Sequence, residues 1–366
     1  MHGGDKIGGG QFVWLLLLFE LGTALVLGVG TKAGQDAWIA VLFGAAGGCV
    51  LYSVYVWLYR LYPGMTLVRC AQAVLGRRLG WAVGFAYMLF FLYCAARNMR
   101  DGGDLLITSL YESTPLAAVT GLMSAVLVYV LYKGIEVLAR TGEFFGMTLV
   151  GLGVVGSVLI FCSGIVRFSN LLPVLENGIQ PVLAAFPETL TFPFGETVSF
   201  LTVFPFVRES VRLWRRGVIV TVIAGLVIAY NVVLNISVLG VGIFKRSVFP
   251  LLATISMVNI AEFLQRLDAI VILSFIISDF FKIAVYMFAS AQVAADLFGV
   301  RQARRLATAV VLVVWAASSW IADNLPEHLW IGTSVLPVTL FLPFQIGIPV
   351  LLLAVAVVRK RVVKSS

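Results

Sequence analysis

The chain has 366 residues and a net charge of +8, and 60% of its residues are hydrophobic while only 12% are charged. Because soluble domains carry about 25% charged residues, this composition excludes a soluble globular protein and indicates an integral membrane protein with many helices. The chain has two histidines and four cysteines, with no C-x-x-C pair. We therefore expect no metal site, no cofactor and no histidine-based hydrolase chemistry.

Apolar runs divide the chain into ten predicted membrane spans, since a spanning helix needs about 20 apolar residues. The first span has no small-residue cleavage pattern after it and is interpreted as retained. A further apolar piece, 250–263, is too short to span and is predicted to be an interfacial helix on the external side. The predicted spans are 11–30, 37–60, 80–110, 115–132, 143–166, 181–207, 217–243, 266–298, 306–322 and 333–358.

Two of these spans are interrupted by residues that break helices. In the sixth, Pro-Phe-Gly-Glu at 193–196 separates two apolar halves, because proline lacks a backbone donor and glycine tolerates unusual angles. In the first, Glu-Leu-Gly-Thr at 20–23 intervenes in the same way. Taken alone, the sixth span fits a proline-kinked continuous helix equally well.

Ten spans divide into five plus five, which places the two breaks at corresponding positions of the halves. Such paired breaks are typical of inverted-repeat transporters, where the freed backbone groups line a cavity. We therefore predict an all-α polytopic membrane protein with a LeuT-like 5+5 inverted repeat and broken helices 1 and 6. A single transmembrane domain would cover 1–366, with the first repeat at 11–166 and the second at 181–358.

The basic residues predict the orientation of the chain. With the N-terminus inside, most lysines and arginines fall in internal segments such as 208–216 and 301–305. This asymmetry fits the positive-inside rule and predicts that both termini are cytoplasmic. Membrane lipids with anionic headgroups, and not nucleic acid, are then the expected partners of the positive charge. The predicted outer side holds only Lys32, Arg167, Lys245, Arg246 and, at most, Arg266.

Charged residues inside the third span are spaced for pairing. Arg97 and Asp101, and likewise Arg100 and Asp104, are four residues apart and so are neighbours on a helix surface. Ionisable residues in spans are costly and are functional candidates. We favour mutual neutralisation within these two pairs, with a gate or a ligand contact as the alternative.

The eighth span repeats this theme. Asp279 and Lys282 are three residues apart, which predicts a structural ion pair. Ser274 and Ser278 lie one turn apart and offer oxygens for a Na⁺ site. Serines in spans usually bond back to their own helix or to a neighbour, and we favour that interpretation.

Glycines in the fifth span spell G-x-G-x-x-G at Gly151, Gly153 and Gly156. Dinucleotide binding requires this motif after a strand, within a βαβ unit. An apolar span lacks that context, so we predict close helix packing instead. The small-residue spacings Gly44–Gly48 and Gly142–Gly146 carry the same prediction.

An ordered set of motifs resembles one family over nearly the whole chain. The chain is similar to the B subunit of GerA-type spore germinant receptors, the spore-germination permease branch of the amino acid–polyamine–organocation (APC) superfamily. The motifs are Glu20-Leu-Gly-Thr followed by Gly34-Gln-Asp-Ala-Trp-Ile39, Pro193-Phe-Gly-Glu196 with Phe204-Pro-Phe206, Leu264-Gln-Arg-Leu-Asp268 followed by Phe280-Phe-Lys282, and Arg359-Lys-Arg near the end.

The resemblance implies a LeuT-like fold in the spore inner membrane and a nutrient-sensing role, for an amino acid. It also implies two partners, an A subunit with membrane spans and a lipoprotein C subunit. Glu20 and Ala24 depart from the family pattern, which more often has an amide and a second glycine there. An ionised Glu20 would repel a ligand carboxylate.

We therefore predict a ligand-sensing subunit that is not an enzyme. Backbone N–H groups at the first break would receive the ligand's carboxylate, because a helix N-terminus favours anions, and the second break would receive its amine. Glu20 would either lie at the cavity or cap free backbone groups, and Glu196 would hold the break beside the ligand or meet the amine. An amino-acid permease and a structural scaffold are the alternatives. The predicted ligand-binding residues are Glu20, Gly22, Thr23, Ala24, Asn98, Asp101, Phe194, Gly195, Glu196 and Ser274.

Overall fold

A computed structural model describes residues 6–111, 113–258 and 268–365, with side chains described up to residue 360. The described chain is almost entirely helical. Its α-helices are α1 (Gly9–Leu21), α2 (Ala37–Leu61), α3 (Leu67–Leu75), α4 (Arg77–Ser109), α5 (Leu116–Lys133), α6 (Ile135–Cys162), α7 (Gln180–Thr191), α8 (Leu213–Arg246), α9 (Pro250–Ser256), α10 (Asp268–Phe298), α11 (Ala307–Trp320), α12 (Leu325–Trp330) and α13 (Ile348–Ser365).

Each of the ten predicted spans coincides with a helix or with a broken helix. By length and apolar composition, seven described helices are able to cross a membrane singly, and an eighth arises if the pair 303–320 and 325–335, bent by 108°, is one span. Helix α1 has only 13 residues and α7 only 12, as expected if each is half of a broken span. α12 continues into α13 through two π-helical stretches, Ile331–Val335 and Pro337–Gly347.

Three details differ from the prediction or fall outside it. Helix α3 lies between the second and third spans and was missed, because its nine residues are amphipathic and too short for a span. Helix α6 begins at Ile135, eight residues before the predicted start of the fifth span at 143. The predicted interfacial helix is present as α9, whereas its end at 259–263 lies outside the described residues.

Both predicted breaks are present. Helix α1 ends at Leu21 because Gly22 leaves the helical region, with φ 14° and ψ −123°. A single 3₁₀ turn, Thr23–Leu25, follows. Helix α7 ends at Thr191, before Pro193, and the chain resumes as a 3₁₀ helix over Phe194–Thr202. The second half of the sixth span is therefore a narrower helix than the α-helix that the sequence predicts.

Glycines set the packing of several helix pairs. A Cβ at Gly48 would collide with Phe194, and one at Gly146 would collide with Trp14 of α1, so the predicted packing at both small-residue spacings is confirmed. The G-x-G-x-x-G motif behaves differently. No atom lies within 4 Å of a Cβ placed at Gly151, Gly153 or Gly156, so the predicted close packing of this motif is wrong for the described chain.

One end of the molecule is closed around the start of α1. Ile7 forms an isolated parallel bridge with Val207, in which the Ile7 N–H donates to Phe206 O at 3.0 Å. Aromatic rings fill the space behind it, with Phe12 and Phe200 edge to face at a centroid distance of 5.8 Å. Phe204 packs edge to face against Tyr52 at 5.9 Å. Edge-to-face aromatic pairs of this kind favour a well-ordered core.

Candidate functional site

A cavity of about 240 Å³ lies beside both helix breaks and extends to the loop after α8. Its walls come from α4, α7, the 3₁₀ helix after the second break, α12 and the π-helical segments. Apolar and charged side chains both contribute. The lining residues are Leu27, Gly28, Thr31, Cys94, Arg97, Asn98, Asp101, Glu188, Phe192, Glu196, Lys245, Arg246, Ser247, Val248, Leu329, Gly332, Thr333 and Phe341.

Three of the ten predicted ligand-binding residues line this cavity. They are Asn98, Asp101 and Glu196. The other seven predicted residues do not line it. Thr23 is joined to the lining, because its hydroxyl donates to Asn98 Oδ1 at 3.5 Å. Six of the seven are buried and Ser274 is half-buried; they are Glu20, Gly22, Thr23, Ala24, Phe194, Gly195 and Ser274.

Lys282 of α10 connects the two breaks. Its Nζ lies 2.5 Å from Glu196 Oε2 and 3.3 Å from Thr23 Oγ1. It also lies 4.4 Å from the centre of the Phe192 ring, within cation–π distance. Gly22 makes room for this arrangement, since a Cβ there would lie 2.7 Å from Lys282 Cδ.

The predicted Asp279–Lys282 ion pair is wrong. Lys282 pairs with Glu196 across the helix interface, and neither carboxylate oxygen of Asp279 has a hydrogen-bond partner among the described residues. The spacing rule describes neighbours on one isolated helix. Here α10 packs against the second break, and the acid from that break is the closer partner. The Lys282–Glu196 pair tests neither of the two roles predicted for Glu196, the support of the break and the contact with a ligand amine.

The other residues near the first break make local bonds. Glu20 is fully buried, and Thr221 of α8 donates to its Oε1 at 2.7 Å. Ser274 donates to Ile270 O at 2.7 Å, which confirms that it bonds back to its own helix. Ser278 does the same and also donates to Gly22 O at 3.2 Å. A carbonyl freed by the break is thus satisfied from α10, as such breaks require.

The charges of α4 follow the spacing rule at one pair and not at the other. Arg100 and Asp104 form the predicted ion pair, with Nε 2.8 Å from Oδ2, and both are buried. The predicted Arg97–Asp101 pair is wrong. His328 of α12 separates the two: its Nε2 lies 2.8 Å from Asp101 Oδ1, and its carbonyl accepts from Arg97 Nη2 at 2.8 Å.

Sequence reasoning missed several members of the site. His328 was set aside as one of two isolated imidazoles, and only the fold brings it to α4. Glu188 lines the cavity, accepts from Gly30 N–H at 3.2 Å and pairs with Lys32 at 3.8 Å. The rule that acids inside spans are functional candidates would have found Glu188 in the sixth span.

In the described part of the chain, no group of three His, Cys, Asp or Glu side chains is arranged to hold a metal ion.

The fold matches solved structures of transporters. The nucleobase-cation-symport-1 family transporter Mhp1 aligns with a TM-score of 0.69 and 14% identity, over 89% of this chain and 74% of Mhp1. A Na⁺-coupled sialic acid symporter aligns at 0.68 and 14%, over 94% and 78%. MhsT, solved in complex with L-phenylalanine, aligns at 0.65 and 13%, over 96% and 98%. The molecule therefore has the LeuT fold of membrane transporters, as predicted.

The family is defined by sequence. The family described as "Spore germination protein" matches residues 6–325. Spore germination protein KB of Bacillus subtilis (strain 168) is 42% identical over 352 residues, which cover 96% of this chain and 94% of that protein. Spore germination protein B2 of the same strain is 23% identical over 64% of this chain and 63% of its own length. The chain therefore belongs to the spore germination protein family, which confirms the resemblance.

Proposed function

We propose that this chain is the nutrient-sensing subunit of a spore germinant receptor and that it binds an amino acid in the cavity beside the two helix breaks. The observation that carries the proposal is the cavity itself. In a spore germination protein with the LeuT fold, a pocket of about 240 Å³ lies at the second helix break and beside the segment that follows the first. Small-molecule sites in transporters are built at such breaks.

The size and lining of the cavity suit a small polar metabolite. Drug-sized ligands occupy pockets of about 300–1,000 Å³, and this cavity is smaller. Asn98, Asp101 and Glu196 supply polar atoms, while Phe192 and Phe341 supply apolar walls. In this proposal those three polar residues contact the ligand.

Predicted residues at the first break support its geometry in this proposal. Glu20 and Gly22 belong to this group, with Thr23 as the link to Asn98, whereas Ser274 bonds within its own helix. A ligand that favours one arrangement of the breaks shifts the population of the whole chain toward it. That shift, and not catalysis, is the proposed output.

The proposed setting follows from charge distribution and family membership. We place the protein in the spore inner membrane with both termini in the cytoplasm, which puts the cavity mouth at Lys245 and Arg246 on the outer side. An A subunit and a lipoprotein C subunit are the proposed partners that receive the signal. The basic loops at the opposite side would contact anionic lipid headgroups.

A bulky side chain in the cavity wall tests the site. Thr333 lines the cavity and is half-buried, and its hydroxyl donates to Leu329 O at 3.0 Å. We expect Thr333→Trp to abolish amino-acid-induced stabilisation of the purified chain in a thermal-shift screen, since a bound ligand at 100 times its Kd contributes about 2.7 kcal/mol. Spores that carry the variant should lose their germination response.

Thr339→Trp is the matched control. Thr339 lies in the next π-helical stretch and makes the same kind of bond, to Val335 O at 2.8 Å, but is exposed and does not line the cavity. It should retain both responses. Normal ligand binding by Thr333→Trp, or equal loss in both variants, would rule out this location.

A working amino-acid permease is the second candidate. It is favoured by the match to solved transporters and by the closure of the described chain around Ile7 and Val207. Alternating access would require that closure to open.

A further inference from the structure

The carboxylates of the cavity already have partners. Two of the three acidic residues in the lining, Glu188 and Glu196, are paired with lysines and present no unpaired charge to a ligand, whereas Asp101 contacts the imidazole of His328. The pairs are Asp101–His328 at 2.8 Å, Glu188–Lys32 at 3.8 Å and Glu196–Lys282 at 2.5 Å.

The basic residues of the lining are unpaired. Arg97, Lys245 and Arg246 line the cavity, and no described carboxylate lies within ion-pair distance of any of them. For Lys245 and Arg246 this is ordinary, because both are exposed. Arg97 is different, because only 7% of its surface is exposed. A buried charge without a counter-ion is strongly unfavourable.

The guanidinium of Arg97 has a buried donor group without a hydrogen-bond partner in the described chain. Its Nη2 donates to His328 O at 2.8 Å, whereas its Nη1 is buried and has no hydrogen-bond partner among the described residues. Gly332 leaves room for the guanidinium at this wall, because a Cβ there would collide with Nη2. An unpaired, buried and oriented cation in a cavity wall is a binding group for an anion.

We infer that the cavity recognises its ligand through a carboxylate, which Arg97 binds, while Lys245 and Arg246 attract the anion at the mouth. The inference rests on the proposed function and names the chemistry of the same site. A monoanion matches the charge of Arg97, the one buried cation of the described lining without a counter-ion. The planar guanidinium provides the fork geometry that carboxylates prefer.

This location differs from the first break, where the sequence predicts the carboxylate. Gly22, Thr23 and Ala24 do not line the cavity, and the fully buried Glu20 lies next to them. The anion site therefore moves from the backbone of α1 to a side chain of α4. An amine on the same ligand would face Asn98 Oδ1 or the carboxylate of Asp101.

Matched pairs of probes test the inference. The purified full-length chain in detergent is screened with the L-amino acids and with the α-carboxamide of each, together with glucose and inosine. For the amino acid that binds the wild-type chain most tightly, the carboxamide should bind about 10- to 100-fold more weakly, which is the effect of one charge-assisted hydrogen bond or a pair of them. Arg97→Gln should remove that difference, and Arg97→Lys should retain part of it.

Two further variants separate binding from folding. Arg100→Gln, one turn away and bonded to Asp104, changes a buried arginine that does not line the cavity, so it should keep the preference for acid over amide. The exposed pair Lys245→Gln and Arg246→Gln should weaken binding several-fold at low salt and by less at high salt, because exposed charges are screened. If Arg97→Gln fails to fold, the wild-type acid–amide comparison still tests recognition of a carboxylate, and Arg97→Lys still tests the role of Arg97.

The outcomes distinguish the two proposals. If glucose, inosine or a carboxamide binds tightly, and Thr333→Trp abolishes that binding, the carboxylate inference is overturned and the cavity remains the sensing site. Binding of amino acids that Thr333→Trp does not change would overturn both. No binding by any probe would also count against both.

Discussion

Lys282 lies where α10 meets both helix breaks, and its partners come from three separate segments. Glu196 from the second break forms its ion pair, Thr23 from the first break lies 3.3 Å away, and Phe192 provides a ring face. The amine and the carboxylate are both fully or almost fully buried. For a buried pair of this kind, the free energy lost on desolvation can exceed the free energy gained from attraction. Removing only one partner is nevertheless strongly destabilising, because the other charge stays buried and unpaired.

Removal of the Lys282 charge should therefore destabilise the chain strongly. We expect Lys282→Met to lower the free energy of unfolding by about 3–5 kcal/mol, since Glu196 is left as an unpaired buried acid. Glu196→Gln should cost a similar amount. The double variant should cost less than the sum of the two, because it leaves no unpaired charge. Thermal unfolding of the ligand-free chain in detergent measures all three.

Lys133→Met is the control for loss of a lysine charge. Lys133 is exposed at the end of α5 and lies 5.2 Å from the centre of the Tyr129 ring. Its replacement should change stability by no more than about 0.5 kcal/mol. Additive losses in the Lys282–Glu196 cycle would show that the pair does not act as one unit.

Gly217 and Gly225 of α8 lie in close contact with another helix, whereas Gly153 of α6 does not. Where α8 crosses α2, a Cβ on Gly217 would overlap the Tyr52 ring, and one on Gly225 would overlap Ala45. On α6, by contrast, Gly153 faces open space. The same residue type in an apolar helix thus marks a close contact in one element and none in the other.

Addition of a methyl group at each position separates these two cases. Gly217→Ala should destabilise the chain by about 1–3 kcal/mol, since the new Cβ overpacks the α2–α8 contact. Gly153→Ala is the matched change, because both glycines lie within long helices and a Cβ meets a neighbouring helix only at Gly217. It should be neutral to within about 0.5 kcal/mol. Similar effects of the two substitutions on the unfolding midpoint would contradict the packing difference.

The elements themselves were largely predictable from the sequence. A membrane helix satisfies its own backbone, so about 20 apolar residues in a row suffice to locate it, and proline or glycine locates a break. The partners of buried charges were not predictable in the same way. Arg100 and Asp104 lie on one helix and pair as expected, whereas Asp101 and Lys282 find partners on segments that are distant in sequence.

The candidate site was predictable only in its outline. The predicted breaks locate the region of the cavity, and Asn98, Asp101 and Glu196 do line it. The break in the first span did not indicate where along that span the cavity begins. Because Gly22 packs directly on Lys282, that backbone is covered and the cavity begins further along, at Leu27.

Access to the cavity differs at the two ends of the whole molecule. Helix α8 runs 34 residues, with a kink at Gly240 (φ 71°, ψ 161°), from the closed end to the cavity mouth. Near its start, Arg216 pairs with Glu209, and near its end Lys245 lines the cavity. The Ile7–Val207 bridge closes the end opposite the mouth. A permease must open that end in every cycle, whereas a sensor can bind and release ligand through the mouth alone.

A crosslink at the bridge decides between these two functions. Neighbouring strands lie about 4.8 Å apart, which is within the range that a disulfide spans, so Ile7→Cys with Val207→Cys should crosslink on oxidation. The exposed Cys162 is first replaced by serine. We expect the oxidised chain to keep its ligand-induced stabilisation within about twofold in Kd, because the mouth lies at the other end. Proteoliposomes should accumulate no amino acid in either redox state, since binding changes conformation without passage. The variant with Ile7→Cys alone controls for oxidation damage. If the reduced chain takes up amino acid and oxidation abolishes that uptake, the protein is a permease instead.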